Sequence, residues 1–459
     1  MEEIQGMKVL TDVYDRICDF DALYEAYRCA RKGKRYRQDV MEFTANLEGN
    51  LIDLSNKLTW ECYKVGPYHP FYVTEPKKRL VMSLQFPDRV VQWAIYNVLA
   101  PFYDKMFIED SYACRKNKGA HRAADRLQYW LRQVGRKPSR WYYLKLDISK
   151  YFYRVDHEVL KNILRRRVKD EKLMRLLETI IDSEEQKFGL PEGYSPDECT
   201  PDMWQSEVGM PIGNLTSQLF ANIYLNELDQ FCKHELHIHY YVRYMDDVII
   251  LSDDKRLLAA WRDEISIFLE DSLRLSLNSK TAIKPVSQGI DFVGYRIWNT
   301  HRKLKKQTAR RVIRSMKGYC GMMAEGTCTR YEFWYFIASI EGALSYCNSW
   351  GLQRRLKRIY VQEFLLRLDG GDSLKRPSNW ADMEVELAKV IYGQAEVIDD
   401  LYRELSKVLS PEELTAMPCW DKLGDVVKRM KELGLEIDGN YAEHKQQGGE
   451  RDGRHDNES

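Results

Sequence analysis

The sequence predicts an α+β protein in which an antiparallel sheet is combined with helical regions. Two apolar, β-branched runs flank Asp246 and Asp247 in YYVRYMDDVIILS, the pattern of a β-hairpin with the aspartates at its tip. The stretch WYYLKLDISKYFYRV, which starts at Trp141, has the pattern of a further strand that ends near Asp147. Apolar residues at helical spacing precede and follow these strands, which indicates helical regions beside the sheet.

Composition and charge exclude several classes of protein. The 459 residues suffice for several domains, and 70 Lys plus Arg against 69 Asp plus Glu leave a net charge of +1. A polyanion site must therefore come from local clusters of basic residues. The ten cysteines form no C-x-x-C pair, which argues against zinc ribbons and a disulfide framework and favours a reducing compartment. The N-terminus lacks a signal-peptide pattern, and no apolar run approaches the roughly 20 residues of a membrane span, so we expect a cytoplasmic protein without membrane contact.

The region before the strand at Trp141 is predicted to be mixed but mostly helical. ALYEAYRCARKGKRYRQDVMEF is basic and amphipathic. FYVTEPKKRLVMSLQFPDRVVQWAIYNVLAPFYD joins a short strand pattern, a basic turn and an apolar helix pattern.

Later segments add helices, one strand pattern and a C-terminal extension. A helix pattern and a loop rich in Pro, Gly and Ser occupy residues 160–204. NLTSQLFANIYLNELDQF predicts an amphipathic helix, IDFVGYRIW a strand, and HRKLKKQTARRVIRSMKG the start of a basic helical region. Beyond a linker-like DGGDSLKRPSN, helical spacing returns, and the polar tail at 440–459 is predicted to be disordered.

The aspartates are the chemically informative residues. Two further Asp-Asp pairs occur, at 253–254 and 399–400, and neither is assigned chemistry. Asp246 and Asp247 differ because a tight turn between apolar strands would hold them on a rigid scaffold, where a divalent cation would offset the cost of unpaired carboxylates. If a neighbouring strand brings Asp147 beside them, three carboxylates could hold two Mg²⁺ ions roughly 3.5–4 Å apart. A solvated strand end is the alternative interpretation of Asp147.

Several motifs in order resemble those of reverse transcriptases. The motifs lie within residues 70–300: EPKKRLVMSLQFPDRVVQ, LKLDISKYF, VGMPIGNLTSQLFANIYLNELDQF, YVRYMDDVIIL, LSLNSKTAI and IDFVGYRI. The resemblance implies a right-hand polymerase with fingers, a palm containing the antiparallel sheet, and a helical thumb. The implied boundaries are fingers with an N-terminal helical region at 1–140, palm at 141–300 with an insertion at 160–204, thumb at 301–370, and a helical C-terminal extension at 371–439.

The resemblance also implies a catalytic centre. Asp147 and Asp246 would bind two Mg²⁺ ions, for which Mn²⁺ would substitute, and Asp247 would complete the acidic cluster. Lys280 falls at the position proposed to protonate the pyrophosphate leaving group, with an exposed lysine as the alternative. Lys78 and Arg79 would face the triphosphate of the incoming nucleotide, and a solvated basic turn is the alternative there.

Further residues match the family's substrate-binding positions. Phe152 falls at the steric-gate position, where an aromatic ring would exclude a ribose 2′-OH; a core aromatic is the alternative. Ile212, Gly213 and Gln218 belong to the motif that surrounds the nucleotide, and Gly213 would let backbone approach the substrate. The primer grip would comprise Phe292, Gly294 and Tyr295. The segment 302–317 would bind duplex phosphates, unless it is only a solvated basic helix.

Ile212 bears on the subfamily. Most reverse transcriptases carry Gln at this position, whereas Ile followed by GNLTSQ resembles the error-prone enzymes of diversity-generating retroelements. Group II intron, retron and antiphage-defence reverse transcriptases are rival interpretations, as are an RNA polymerase of the palm type and a non-catalytic RNA-binding scaffold. The expected partners are an RNA template, a DNA or RNA primer, dNTPs and a small basic accessory protein.

Overall fold

The computed structural model describes residues 3–4, 7–74, 79–183, 187–191, 193–194, 196 and 198–360. Lys78, the predicted C-terminal extension at 371–439 and the tail at 440–459 lie outside the described residues. The described chain forms two compact units. One comprises residues up to Ala309 together with Ile340–Ser349, and the other begins at Arg310–Ser339 and continues from Trp350.

Helices and strands both contribute to the fold, as the sequence predicted. The strands are β1 Glu3–Ile4, β2 Met7–Lys8, β3 His69–Val73, β4 Arg79–Ser83, β5 Tyr142–Asp147, β6 Tyr241–Tyr244, β7 Asp247–Ser252, β8 Ala282–Pro285, β9 Ile290–Phe292, β10 Tyr295–Ile297 and β11 Arg302–Leu304. The α-helices are α1 Asp15–Cys18, α2 Phe20–Ala30, α3 Gln38–Ala45, α4 Leu47–Thr59, α5 Phe86–Asp104, α6 Ala120–Val134, α7 Tyr151–Arg154, α8 His157–Arg165, α9 Glu171–Asp182, α10 Leu215–Gln230, α11 Lys255–Leu273, α12 Lys306–Ala324, α13 Arg330–Leu344 and α14 Trp350–Tyr360.

A four-stranded antiparallel sheet is the centre of the first unit. Its strand order is β6-β7-β5-β8. Leu144 and Val248 on one face belong to a large helical core, whereas Tyr143 and Ile249 on the other face pack in a second core with α6, β9 and β10. Both faces of the sheet are therefore buried, which explains why the strands read as nearly continuous apolar runs.

Aspartates begin several of the helices that surround this sheet. The side chains of Asp19, Asp156, Asp170 and Asp254 accept hydrogen bonds from backbone N–H groups in the first turns of α2, α8, α9 and α11. Such caps satisfy donors that the helix itself leaves unpaired. Asp254, in the second Asp-Asp pair, thus has a structural role as the cap of α11.

Three local predictions were wrong in detail. Helix α10 is not amphipathic, because packing against α5 and α11 buries even its polar Thr216, Asn222 and Asp229. IDFVGYRIW is a hairpin of β9 and β10, whose turn residues Val293 and Gly294 have φ of +42° and +87°. The basic region after residue 301 begins with the strand β11, which pairs with β10 and precedes α12.

The second unit contains parts of α12 and α13 and the whole of α14. Aromatic side chains join these helices: the rings of Tyr319 and Phe336 stack at 4.2 Å, and those of Phe333 and Tyr360 at 5.4 Å. Across the described part of the chain, no helix is both long and apolar enough to span a membrane.

Candidate active site

Strand pairing brings the three predicted aspartates to one end of the central sheet. Asp147 is the last residue of β5 and lies directly opposite Asp247, the first residue of β7. Tyr244 pairs with Asp247, so Met245 and Asp246 form the two-residue turn of the β6–β7 hairpin. Directly opposite residues on antiparallel strands point to the same face of a sheet. The predicted hairpin, and the predicted meeting of Asp147 with the pair, are therefore both observed.

Burial and repulsion between neighbouring carboxylates raise the pKa of Asp246 and of Asp247. Burial raises the pKa of Asp247 against the opposing effect of the Lys145 ammonium, and with the added repulsion of Asp246 and Asp147 the pKa reaches about 6. Burial also raises the pKa of Asp246, and the nearby Asp147 adds to this while Arg79 and Lys145 counteract it. The cluster thus concentrates negative charge that a cation would stabilise.

Lys145 is the cation already present. Its Nζ donates a hydrogen bond of 2.9 Å to Asp247 Oδ2, lies 2.7 Å from Oδ1, and also donates to the carbonyl oxygen of Asp291 at 2.8 Å. Residues two apart on a strand share a face, so Lys145 lies on the same face as Asp147. The Lys145 ammonium therefore neutralises part of the negative charge of Asp246 and Asp247.

The donor set suits magnesium. Within the described residues, no group of three or more His, Cys, Asp or Glu side chains is arranged to hold a metal ion. Mg²⁺, however, is usually held by one or two carboxylates with substrate phosphates and water, and carboxylate oxygens are the ligands it prefers. Asp247 Oδ1 is buried and lies 2.7 Å from Lys145 Nζ, with no other polar partner among these residues. The residues at this end of the sheet therefore fit a divalent cation delivered with a phosphate substrate.

A buried ion pair holds the turn that carries Asp246. Met245 has φ of +55°, a left-handed conformation that costs a non-glycine residue roughly 1–3 kcal/mol. The guanidinium of Arg243 donates to the Met245 carbonyl at 3.0 Å and to both carboxylate oxygens of Asp229, at 2.7 and 2.6 Å. Both side chains of the pair are 0% exposed. The turn is thus fixed from beneath by a fully buried bidentate contact.

Lys280 lies on a turn beside β5. Asn278 N donates to the Asp147 carbonyl at 2.7 Å, and Asp147 N donates to Thr281 Oγ1 at 3.3 Å. The Lys280 side chain is exposed, and its backbone N–H donates to Asn278 Oδ1. The structure therefore brings the backbone of Lys280 close to the acidic cluster and leaves its ammonium in solvent.

The residues predicted to surround the nucleotide lie on segments linked by backbone hydrogen bonds. Met82 of β4 donates to the Ile212 carbonyl at 3.0 Å, and Met210 donates to the Phe152 carbonyl at 2.7 Å. Gly213 has φ of +117°, and a Cβ there would lie 2.8 Å from Val81 Cγ1. Glycine is thus required by the close approach of β4. Arg79 begins the same strand and interacts electrostatically with Asp246.

The remaining predicted residues lie in other surroundings. Gln218, on α10, accepts a hydrogen bond from Cys114 Sγ at 3.3 Å. Phe292 and Tyr295 are 1% and 4% exposed and belong to the second core, and Gly294 lies between them at the tip of the β9–β10 turn. Their roles toward substrate and primer stay predictions.

Lys145 and Arg243 were not identified from the sequence. Each had a visible signal: a charged residue within an otherwise apolar strand, two positions before Asp147 in one case and three positions before Asp246 in the other. A charge in a buried strand requires a partner, and the aspartates described above supply it.

Comparison with known proteins agrees with this geometry. Residues 73–297 match the family described as "Reverse transcriptase (RNA-dependent DNA polymerase)". The Escherichia coli (strain K12) protein YkfC is 30% identical over 293 residues, which cover 55% of this chain and 72% of YkfC.

More distant similarities extend the comparison. The group II intron-encoded protein LtrA of Lactococcus lactis subsp. cremoris is 24% identical over 362 residues, which span 63% of this chain and only 57% of LtrA. A solved structure of telomerase from Candida albicans, in complex with a fragment of telomeric RNA, aligns with a TM-score of 0.37 at 12% identity and covers 68% of this chain and 65% of that one.

The matched span of 73–297 contains β5, the β6–β7 hairpin and all three clustered aspartates. With the similarity to YkfC, this shows that the chain belongs to the reverse transcriptase family of RNA-dependent DNA polymerases.

Proposed function

We propose that this chain synthesises DNA on an RNA template by two-metal-ion nucleotidyl transfer. The observation that carries the proposal is the register of β5 and β7, which aligns Asp147 with Asp247 beside Asp246. Asp147 and Asp246 would hold the metals, with Asp247 completing the cluster. When bound, the metals would polarise the attacking and leaving oxygens. In the fold that we propose, the four-stranded sheet is the palm of a right-hand polymerase.

Other side chains act on the nucleotide. Arg79 supplies positive charge to the triphosphate, and its electrostatic effect on Asp246 supports this placement. Lys280 extends from the turn beside Asp147 and donates a proton to the leaving pyrophosphate. Phe152 selects against a 2′-OH, and its half-buried position supports this role because packing limits the movement of the ring. Phe152→Ala should therefore increase ribonucleotide incorporation, measured with rNTPs against dNTPs on one template.

Primer extension on RNA tests the main proposal. With Mg²⁺ and dNTPs, the wild type should extend the primer and Asp246→Ala should lose extension by several orders of magnitude. Asp253→Ala is the matched control, because it alters a second Asp-Asp pair whose residue 253 bonds only to Ser139 among the described residues. Equal extension by wild type and Asp246→Ala would contradict the proposed site. A wild type that binds RNA but never extends would favour the scaffold alternative.

We further propose error-prone copying, as in a diversity-generating retroelement. The support is Ile212, whose aliphatic side chain replaces a polar contact next to Gly213 and the β4 strand that begins with Arg79. Sequencing of the cDNA should show errors concentrated opposite template adenine, and Ile212→Gln should reduce them. A uniform, low error frequency in the wild type would contradict this role.

A role like that of a group II intron-encoded protein is the second candidate. The similarity to LtrA across 63% of the chain favours it. Accurate copying of long templates, together with preferential binding of an intron RNA over a control RNA of equal length, would support this candidate over the error-prone one.

A further inference from the structure

The loop that joins α2 to α3 is strongly basic and takes no part in the proposed reaction. Five of its seven residues are cationic, in the sequence RKGKRYR at positions 31–37. Tyr36 is 95% exposed and has no ring contact or hydrogen bond among the described residues. An exposed aromatic ring flanked by cations in the sequence is the combination that surfaces for single-stranded nucleic acid use.

A cavity of about 220 Å³ opens on one side of this loop. Its lining includes the cationic side chains of Lys34, Arg37 and Arg89 and the ring of Phe71, which is 49% exposed. The Asp39 carboxylate forms ion pairs with both guanidiniums: Oδ1 lies 3.8 Å from Arg37 Nε, and Oδ2 lies 3.5 Å from Arg89 Nη1. Three cations against one anion leave an excess of positive charge. Burial, followed by repulsion from Arg89 and Arg37, lowers the pKa of Lys34, as crowding of like charges requires.

A second cavity, of about 310 Å³, is lined by two other cations of the loop. Arg31 and Arg35 line it above an apolar floor that includes Val40 and Met41. Arg31 donates to the Tyr27 hydroxyl at 3.0 Å, while Arg35 has no hydrogen bond or ion pair with any residue that the structure describes. Cations of the loop therefore line two separate cavities, and Tyr36, between Arg35 and Arg37 in the sequence, is exposed.

The first cavity also borders the candidate active site. Gly213 and Asn214 contribute to its wall, together with Val81 and Met82 of β4. A strand that lies in this cavity would reach the backbone turn that follows Ile212. The loop is thus placed next to the nucleotide-binding segment.

We propose that the loop 31–37 and its two cavities bind the single-stranded RNA that has yet to be copied, with phosphates in the cavities and a base stacked on Tyr36. The proposal rests on the proposed polymerase function. Cations divided between two cavities match successive phosphates of one strand, and the exposed aromatic ring between Arg35 and Arg37 in the sequence matches an unstacked base. Duplex RNA would offer no base face to Tyr36, and an acidic protein would have no need of a flat ring between the cations.

Template overhang length gives the test. On a primed RNA template with a 5′ overhang of about 12 nucleotides, a span within the site sizes of single-strand binders, the wild type should have a lower KM than on a one-nucleotide overhang. Tyr36→Ala should raise KM on the long overhang by roughly 5- to 100-fold, the range for loss of one base–aromatic stack, and leave the short one unchanged. Trp60→Ala, another aromatic that is 77% exposed, is the matched control. Equal effects on both overhangs, or none, would overturn the proposal.

Direct binding separates this proposal from the polymerase itself. In EDTA, fluorescence anisotropy with a labelled, unprimed RNA oligonucleotide requires no catalysis. The pair Lys34→Gln and Arg35→Gln should weaken binding and reduce the slope of log K against log salt by about 1.4, or roughly 0.7 for each charge. The control pair Lys255→Gln and Arg256→Gln, at the start of α11, should leave both the affinity for the RNA and this slope unchanged. If the wild type binds RNA through Tyr36 but does not extend primers, only the proposed function is refuted. If it extends primers but its RNA binding does not depend on Tyr36, only the proposed RNA surface is refuted.

Discussion

At the residue scale, Arg243 has the most demanding surroundings. It is fully buried and joins the Asp229 carboxylate to the carbonyl of the strained Met245, one residue before Asp246. The geometry requires a planar, forked donor, because four acceptors lie around one side chain: both Asp229 oxygens, the Met245 carbonyl and Asn222 Oδ1. The pair therefore both stabilises the core and fixes the position of the turn that carries Asp246.

Arg243→Lys tests this interpretation. Lysine keeps the charge but cannot reach both Asp229 oxygens and the Met245 carbonyl together, so we expect a loss of about 3 kcal/mol in the free energy of unfolding. The residual enzyme should have a lower kcat and a higher Mg²⁺ requirement, with KM for template almost unchanged. Arg262→Lys, in an exposed pair with Asp263, should change stability by less than about 0.5 kcal/mol. A normal Mg²⁺ dependence in Arg243→Lys would show that the pair is only structural.

The raised pKa of Asp247 predicts that the stability of the protein depends on pH. Its pKa is about 6 in the folded protein, against about 3.9 in an unfolded chain, so the folded state binds the proton more tightly. Its stabilising contribution is fully present below pH ~4 and is lost as the pH rises through about 6. In EDTA, urea unfolding should therefore show a larger decline from pH 4 to 7 for the wild type than for Asp247→Asn. Parallel profiles for the two proteins would contradict the raised pKa.

At the element scale, the approach of β4 to the turn after Ile212 depends on the absence of a side chain. Gly213→Ala would place a Cβ 2.8 Å from Val81 Cγ1 in a backbone with φ of +117°. We expect a loss of roughly 1–3 kcal/mol in stability and slower nucleotide incorporation. Thermal unfolding and single-nucleotide incorporation measure the two effects.

Two further variants separate the possible causes of the stability loss expected for Gly213→Ala. Val81→Ala in the Gly213→Ala background removes the obstructing methyl group and should restore part of the stability, since contacting sites do not combine additively. Gly318→Ala, in the interior of α12 with open space around the new Cβ, should instead be neutral or stabilising by up to about 1 kcal/mol. No recovery in the double variant would assign the whole cost to the backbone conformation.

At the scale of the whole molecule, local sequence patterns predicted where the strands lie better than they predicted which segments pack around them. The β6–β7 hairpin and the strand ending at Asp147 followed from apolar, β-branched runs, whereas the burial of both faces of the sheet was not predicted. The burial of α10 could not be predicted, because its polar Asn222 and Asp229 have the pattern of a solvent-facing side. Their partners come from distant segments: Arg243 pairs with Asp229, and the Ala113 carbonyl accepts from Asn222.

Charge is also organised locally. With a net charge of only +1, the molecule as a whole has little attraction for nucleic acid, so any binding must come from clusters of cations. Arg310, Arg311 and Arg314 on α12 form one such cluster, and within the described residues none of them makes an ion pair. They lie in the segment predicted to hold duplex phosphates.

Neutralising this cluster tests that prediction. Replacing all three arginines with glutamine should weaken binding to a primer–template duplex and reduce the slope of log K against log salt by about 2.7, or roughly 0.9 for each phosphate that is no longer neutralised. Sequence preference should not change, because phosphate contacts carry no base information. The control is the triple change of Lys255, Arg256 and Arg262 to glutamine, which removes equal charge from α11. If both triple variants lower the slope equally, the effect belongs to net charge, and α12 is not a specific duplex contact.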